Sequence, residues 1–358
     1  MTSSLDLSAL NRAVALIEAH MAEGRQPGAT LAVAHRGEVV LERVFGEARL
    51  GTPADLKTLW LLYSNTKVVT AAALWLLVEE GRLRFEDRIA QHMPDFAANG
   101  KGGITVIQLL THQGGFPNAV VPEAAWEDPA LLRATVCGFS LETTPGSVVH
   151  YHALAAHWVA AALIRAVTGD DHRAFIRDRV IKPLGLEKDL FIGVPSSEQA
   201  RVADIYDPSP QGFVARQPEC SKAHYEAGVP GGGGYATARA MALFYQSLIG
   251  QGRPLVAPRV MAYVTRNFTG DRVDLAQGLP MHRGLGPHAR GTTDGARGLG
   301  SLAHPSTFGH GGVGSSYCWG DPASGVSFAF IANARQADVD WHLARMDRLS
   351  NLVHAAIR

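Results

Sequence analysis

Tyr63-Ser-Asn-Thr-Lys-Val-Val-Thr-Ala-Ala-Ala-Leu-Trp-Leu-Leu-Val-Glu-Glu-Gly-Arg-Leu83 is the stretch around which the rest of the chain is organised. From Val68 to Val78 nearly every side chain is apolar, with no polar stripe. A helix that is hydrophobic all round belongs in the middle of a sizeable protein. Gly81 follows it, where glycine commonly closes a helix. Yet the first turn carries a hydroxyl, an amide and an ammonium in Ser64, Asn65 and Lys67. Ser64 and Lys67 are spaced to share a helical face. A lysine in apolar surroundings loses part of its preference for the charged form. It could then take a proton from the serine, a poor nucleophile until something does so. The positive end of the helix dipole favours negative charge developing there. The same residues also fit a plainer role, Ser64 as an N-cap and Lys67 as a solvated charge; context has to choose.

Composition sets the bounds. The chain has 358 residues, 46% of them hydrophobic, with 33 basic and 33 acidic groups. That is enough for a large core in one domain or two intimately joined ones. A net charge of zero argues against a nucleic-acid binder or an electrostatic membrane-surface protein. Cys137, Cys220 and Cys318 are an odd number without CxxC spacing, so they read as buried thiols in a reducing compartment. Met1–Leu7 shows neither a basic nor an apolar leader region, and no apolar run approaches the roughly 20 residues of a membrane span. A soluble, cytoplasmic protein is the expectation.

Outward from the central helix, Leu10, Val14, Ile17 and Met21 predict an amphipathic first helix. Two β-rich runs around Arg36-Gly37 predict an antiparallel hairpin. From Arg84 to Leu190 the signals are mainly helical: Thr105 caps a short helix running to Gly114-Gly115, and further helices follow over Leu154–Val167 and Arg173–Leu184. Arg201 to His224 reads as irregular, and Gly231–Gly234 as a flexible turn before a helix over Thr237–Gly250. Strands return at Ser315–Trp319 and Val326–Ala332, with a closing helix from Val339 to Ile357. Strands at both ends with helices between them predict an α+β fold: one antiparallel sheet, assembled from both termini and flanked by helices, with a mainly helical insertion. The expected division is 1–83 with 235–358 for the sheet part and 84–234 for the insertion.

Two more stretches carry chemistry. Tyr151 sits where a loop meets the apolar Leu154 helix; it could simply pack there, or act beside Lys67 as a partner base. Phe308-Gly-His-Gly-Gly-Val-Gly-Ser315 brings glycines around His310, so a backbone can approach a ligand closely and offer an N–H to an oxyanion.

Together these stretches resemble the serine β-lactamase and penicillin-binding-protein superfamily, in particular its class C β-lactamase-like esterases; Ser-x-x-Lys is a signature of related enzymes. The resemblance covers most of the chain. Leu109-Leu-Thr-His-Gln-Gly-Gly-Phe-Pro looks like the family's Leu-Leu-Thr-His-Thr-Ser-Gly-Leu-Pro, and Pro145-Gly followed by Tyr151 looks like its Pro-Gly…Tyr-Ser-Asn. Gly232-Gly-Gly-Tyr-Ala-Thr-Ala is similar to a further family segment, and His310-Gly-Gly stands where the family has Lys-Thr-Gly or His-x-Gly. The resemblance implies an acylated Ser64, proton shuttling by Lys67 and Tyr151, and an oxyanion hole of the Ser64 and Val313 backbone N–H groups. It implies a cleft between sheet and helical parts, and neither a metal nor an organic cofactor. His310, Gly311, Gly312, His152 and Trp126 are the candidates for substrate binding.

Departures bear on the substrate. Tyr-x-Asn is here Tyr151-His152-Ala153, and the lysine of Lys-Thr-Gly is His310, only partly charged near neutral pH. Both losses weaken recognition of an anionic, amide-bearing β-lactam and favour neutral esters. The expected function is a serine esterase acting on a small-molecule ester. A β-lactamase or D-amino-acid-specific peptidase, an acyltransferase on the same machinery, and a non-catalytic ligand-binding relative are the alternatives. Fifteen histidines invite a metal reading, but His150, His152 and His157 fit no ligand spacing. Gly231–Gly234 lacks the Gly-Lys-Ser/Thr of a phosphate loop. His112 reads as a residue that supports the catalytic groups or packs rather than as a catalyst, and Trp126 and Tyr225 as cleft lining or core. The sequence leaves the oligomeric state open.

Overall fold

The computed structural model describes residues 4–358; the first three residues of the segment read for a leader lie outside the described residues. A seven-stranded sheet is built from β1 (Gly28–His35), β2 (Glu38–Arg49), β3 (Thr52–Pro53), β4 (His288–Ala289), β5 (Phe308–Gly312), β6 (Ser316–Asp321) and β7 (Val326–Ala332). Its order is β4-β5-β6-β7-β1-β2-β3, with every neighbouring pair antiparallel. The first and last long strands pair centrally, Ala29 opposite Ala332, so both ends of the chain make one sheet. The β1–β2 turn is Arg36-Gly37, with φ of 52° and 86°. Two positive φ values give the backbone twist that matches a two-residue hairpin.

Five helices matter most: α1 (Leu7–Ala22), α2 (Thr66–Glu79), α3 (Ala155–Thr168), α4 (Ala238–Leu248) and α5 (Val339–His354). The two-residue period of β1 divides the core. Leu31 and Val33 face α1 and α5, among Leu10, Ile17, Phe328, Phe330 and Met346. Ala32 and Ala34 face the other way with Ala329, and these short side chains let α4 come close through Phe244 and Leu248. That second core continues without a break into α2, which is buried from Thr66 to Leu77, and on to α3. Burying each large side chain of α2, such as Leu74, is worth about 1.5–3 kcal/mol.

Several segments differ from the sequence expectation. The Thr105 helix covers only Val106–Leu110, capped by a reciprocal Thr105–Gln108 pair, because His112 turns to a φ of 60°. The 172–184 helix is not uniform: it passes from α (His172–Phe175) through a wide π turn (Ile176–Ile181) to a 3-10 end (Lys182–Leu184). Within 201–224 lies a hairpin, Tyr206–Ser209 with Gly212–Ala215, held by ion pairs of Asp207 with Arg216 and Arg335 rather than by an apolar face. Gly234 belongs to a strand, Gly234–Ala236, paired with both Trp60–Leu61 and Leu190–Ile192. The closing helix ends at His354. Among the described residues no helix is long and apolar enough to cross a membrane.

Candidate active site

The Trp60–Leu61 strand delivers the chain to a single 3-10 turn, Tyr63–Asn65, from which α2 starts. Tyr63 takes a φ of 46°, a conformation costing a side-chain-bearing residue on the order of 1–3 kcal/mol. Its neighbours hold the turn in place. Leu62 N–H donates to Gly234 O at 2.9 Å. Leu62 O accepts from Ser316 Oγ at 3.1 Å, and Asn65 Nδ2 donates to the same Ser316 Oγ at 2.9 Å. Ser64 is not a helix cap; the capping position falls on Asn65, without a side-chain bond.

Lys67 is fully buried, and its Nζ lies 3.0 Å from Ser64 Oγ, 2.7 Å from Ala153 O and 2.6 Å from Gly231 O. Burial pushes its pKa well below the ordinary 10.5, helped by the nearby Arg283 charge. A neutral amine has two hydrogens and one lone pair. With a hydrogen directed at each carbonyl, the remaining position on the nitrogen faces the serine hydroxyl: a third hydrogen when the amine is protonated, the lone pair when it is not.

Tyr151 is half-buried, and its hydroxyl lies near enough to that of Ser64 for the serine to favour the phenolate. Burial pushes its pKa up to about 12, against the opposing pull of Ser64 and Arg283. Lys67 Nζ lies 4.9 Å from the centroid of its ring and the Arg283 guanidinium carbon 4.8 Å. Tyr151 N–H donates to Asp274 Oδ1 at 3.1 Å, while Asp274 Oδ2 accepts from Arg283 Nη2 at 2.7 Å. Asp274 and Arg283 form an ion pair almost closed to solvent. The His112 ring lies 4.5 Å from that of Tyr151, with Nδ1 accepting from His152 N–H at 3.1 Å; it packs, as its sequence context suggests.

Strand β5 passes beside Ser64. A Cβ on Gly312 would stand 2.4 Å from Leu62 O and 2.2 Å from Ser316 Oγ, so only glycine lets the strand approach this closely. His310 is buried, and its pKa is pushed well below 6.5 by burial, then by His288 and Lys67. It is therefore uncharged at neutral pH, where the sequence suggested partial charge. A cavity of about 300 Å³ is lined by Ser64, Tyr151, His310, Gly311, Gly312 and Val313, with Leu279, Met281 and Leu343 giving an apolar wall.

Two expected substrate-binding residues lie elsewhere. His152 is buried, accepting from Phe116 N–H at 3.1 Å through Nε2 and facing His150 O at 2.7 Å through Nδ1. Both ring nitrogens are used to tie two loops together, so none remains for a ligand. Trp126 lines a different cavity, among Leu132, Ala162 and His172, and stacks on Trp158 with centroids 6.3 Å apart. Tyr225 belongs to a core cluster with Tyr235. Sequence reading missed Asp274 and Arg283, which lie nine residues apart in a region without periodicity or motif. No signal in the chain marks them. Among the described residues no group of three or more His, Cys, Asp or Glu is placed to hold a metal ion.

The family model "Beta-lactamase" matches residues 13–351. The esterase/beta-lactamase LipL of Mycobacterium tuberculosis is 28% identical over 354 residues, covering 88% of this chain and 79% of that protein. A penicillin-binding-protein homologue from Caulobacter crescentus superposes with a TM-score of 0.84 at 30% identity, covering 99% of both chains. A family VIII carboxylesterase does so with a TM-score of 0.84 at 27% identity, covering 98% of both. With its α+β architecture, its buried Ser-x-x-Lys helix and a family match across most of its length, the chain belongs to the beta-lactamase family.

Proposed function

We propose that the chain is a serine hydrolase that cleaves carboxylic esters through an acyl-enzyme on Ser64. The observation that carries this reading is the Lys67 amine: buried, its pKa lowered, its hydrogens engaged by two carbonyls and its remaining position 3.0 Å from Ser64 Oγ. Lys67 takes the Ser64 proton as Oγ attacks the ester carbonyl carbon. The tetrahedral oxyanion rests on the backbone N–H groups of Ser64 and Val313. Loss of one such donor typically costs roughly 100- to 1000-fold in rate. As the C–O bond breaks, Tyr151 gives its proton to the departing alkoxide, and the proton held on Lys67 returns to the phenol oxygen. Water then enters, loses its proton by the same route, and frees the acid and Ser64.

Two features favour neutral esters over β-lactams. Ala153 offers only a methyl group next to the Lys67 anchor, and His310 carries no charge to attract a carboxylate. Intact-mass measurement after mixing with p-nitrophenyl butyrate tests the proposal. An acyl adduct is expected on the unsubstituted protein and none on Ser64→Ala, with nitrocefin turned over far more slowly than the ester. A faster nitrocefin reaction makes the chain a β-lactamase instead, and no reaction with either compound removes the hydrolase reading.

A further inference from the structure

Lys67 and Tyr151 are packed among imidazoles that carry no charge. The His112 and His310 rings lie 4.5 and 6.1 Å from that of Tyr151, and His152 and His157 lie 5.9 and 6.1 Å from His112. Burial lowers the proton affinity of all four, so they are neutral near neutral pH. Lys67 gains and loses a proton as the reaction runs. Among the described residues, Arg283 is the cation of fixed charge against the phenol. It is 2% exposed, lines the Ser64 cavity, and sets its guanidinium carbon 4.8 Å from the centre of the Tyr151 ring. A guanidinium does not lose its proton in a protein. Asp274 fixes the spacing, because one carboxylate holds both partners. Its Oδ2 accepts from Arg283 Nε at 3.1 Å and Nη2 at 2.7 Å, and its Oδ1 from Tyr151 N–H at 3.1 Å. The carboxylate does not cancel the cation at the phenol: Arg283 favours the phenolate more than Asp274 opposes it. Stability alone does not account for such a pair, since well-packed apolar residues commonly do as well in its place.

We propose that Arg283 is a positioning residue for alcohol release: its fixed charge, held against Tyr151 by Asp274, stabilises the phenolate left when Tyr151 protonates the departing alkoxide, and this fits the site to esters of alkyl alcohols. The inference rests on the ester-hydrolase reading and adds the alcohol class of the substrate to it. In the step concerned, the C–O bond of the tetrahedral intermediate breaks and its electron pair goes to the alcohol oxygen, while a pair on the oxyanion re-forms the carbonyl. The alcohol oxygen takes the phenolic proton, and the O–H pair stays on Tyr151 as phenolate charge. Lys67 then returns to Tyr151 the proton it took from Ser64. Arg283 favours both halves of this exchange. It stabilises negative charge on the phenol oxygen and repels the proton on Lys67, whose pKa it helps to lower. An alkoxide such as ethoxide is too basic to leave without that proton, whereas p-nitrophenolate leaves as the anion. The charge therefore matters for the first kind of ester and little for the second.

The test compares kcat/KM for ethyl butyrate and p-nitrophenyl butyrate, which form the same butyryl-enzyme. It does so in the unsubstituted protein, in Arg283→Lys and in the uncharged pair Asp274→Asn with Arg283→Gln. The asparagine oxygen can still accept from Tyr151 N–H, so the anchor is kept. General acid–base assistance is typically worth about 100- to 10,000-fold, so the uncharged pair is expected to lose at least about tenfold more rate with ethyl butyrate than with p-nitrophenyl butyrate. Arg283→Lys, which keeps a cation, should lose less of the ethyl ester rate than the pair does. If the uncharged pair does not fold, Arg283→Gln alone carries the same comparison. A merely structural role would slow both esters alike. Losses that agree within about threefold, or an Arg283→Lys variant as slow with ethyl butyrate as the uncharged pair, overturn the inference. Either result leaves the hydrolase reading standing as long as p-nitrophenyl butyrate acylates the unsubstituted protein. No acyl adduct with either ester removes both.

Discussion

At the scale of single residues, the arrangement around Lys67 separates two proton roles. The pKa of Lys67 is lowered and that of Tyr151 raised, so of the two the amine gives up its proton more readily and becomes the acceptor, while the phenol keeps its proton to give. Activity that needs the amine falls as pH falls through the Lys67 pKa, and the lowering places that limb below the ordinary lysine range. A pH profile of kcat/KM should show an acid limb that keeps its position in Tyr151→Phe while the plateau drops by orders of magnitude. A limb that moves with Tyr151→Phe would assign the base to the phenol. Asp274 acts through Tyr151, whose backbone N–H it accepts. Asp274→Ala leaves the Arg283 charge buried without its partner, and denaturant unfolding should show a loss of about 3–5 kcal/mol. The double change Asp274→Leu with Arg283→Met removes both charges and should recover most of that stability, yet leave acylation slow because Tyr151 has lost its anchor. A double variant no more stable than the single one would refute the ion-pair account.

At the scale of elements, the site is a meeting of the Ser64 turn with the edge of β5. Gly312→Ala would drive a methyl group into Leu62 O and Ser316 Oγ and push the strand from the serine. A displacement near 1 Å costs about 100-fold in rate, so kcat/KM should drop by at least that while far-ultraviolet circular dichroism stays the same. Gly81→Ala is the contrast. Its φ is 69° and a Cβ there would meet nothing within 4 Å. It should cost about 1–2 kcal/mol of stability through backbone strain and leave kcat/KM unchanged. Loss of activity in the Gly81 variant would mean that strain at the far end of α2 reaches the site.

For the whole molecule, burial of neutral histidines couples stability to pH. His112, His157, His288, His310 and His342 all have pKa values pushed well below 6.5, chiefly by burial. In the unfolded chain they would bind protons at about 6.5. Below that pH the unfolded state holds more protons than the folded one, so stability falls as pH falls toward the lowered values. Each such residue contributes a slope of up to about 1.4 kcal/mol per pH unit. Unfolding free energies measured between pH 7.5 and pH 5 should therefore decline steeply, well before carboxylates titrate. A flat profile over that range would mean that these rings are already charged when folded.

The apolar run from Val68 to Val78, interrupted only by Thr70, pointed to a central helix, so the placing of Ser64 and Lys67 at its start was legible without coordinates. The terminal strands were legible too, as β-rich runs bounded by turn residues near both ends of the chain, while the register that sets Ala29 opposite Ala332 came only with the fold. Tertiary structure alone decided where side chains point. His152 turned to backbone partners, Trp126 stacked in the helical part, and Asp274 with Arg283 came from an unpatterned stretch to stand behind Tyr151. The physical reason is that burial, and with it proton affinity and hydrogen-bond direction, depends on neighbours far along the chain. Chain order determined which groups this protein has; packing determined which of them carry a proton, and toward what.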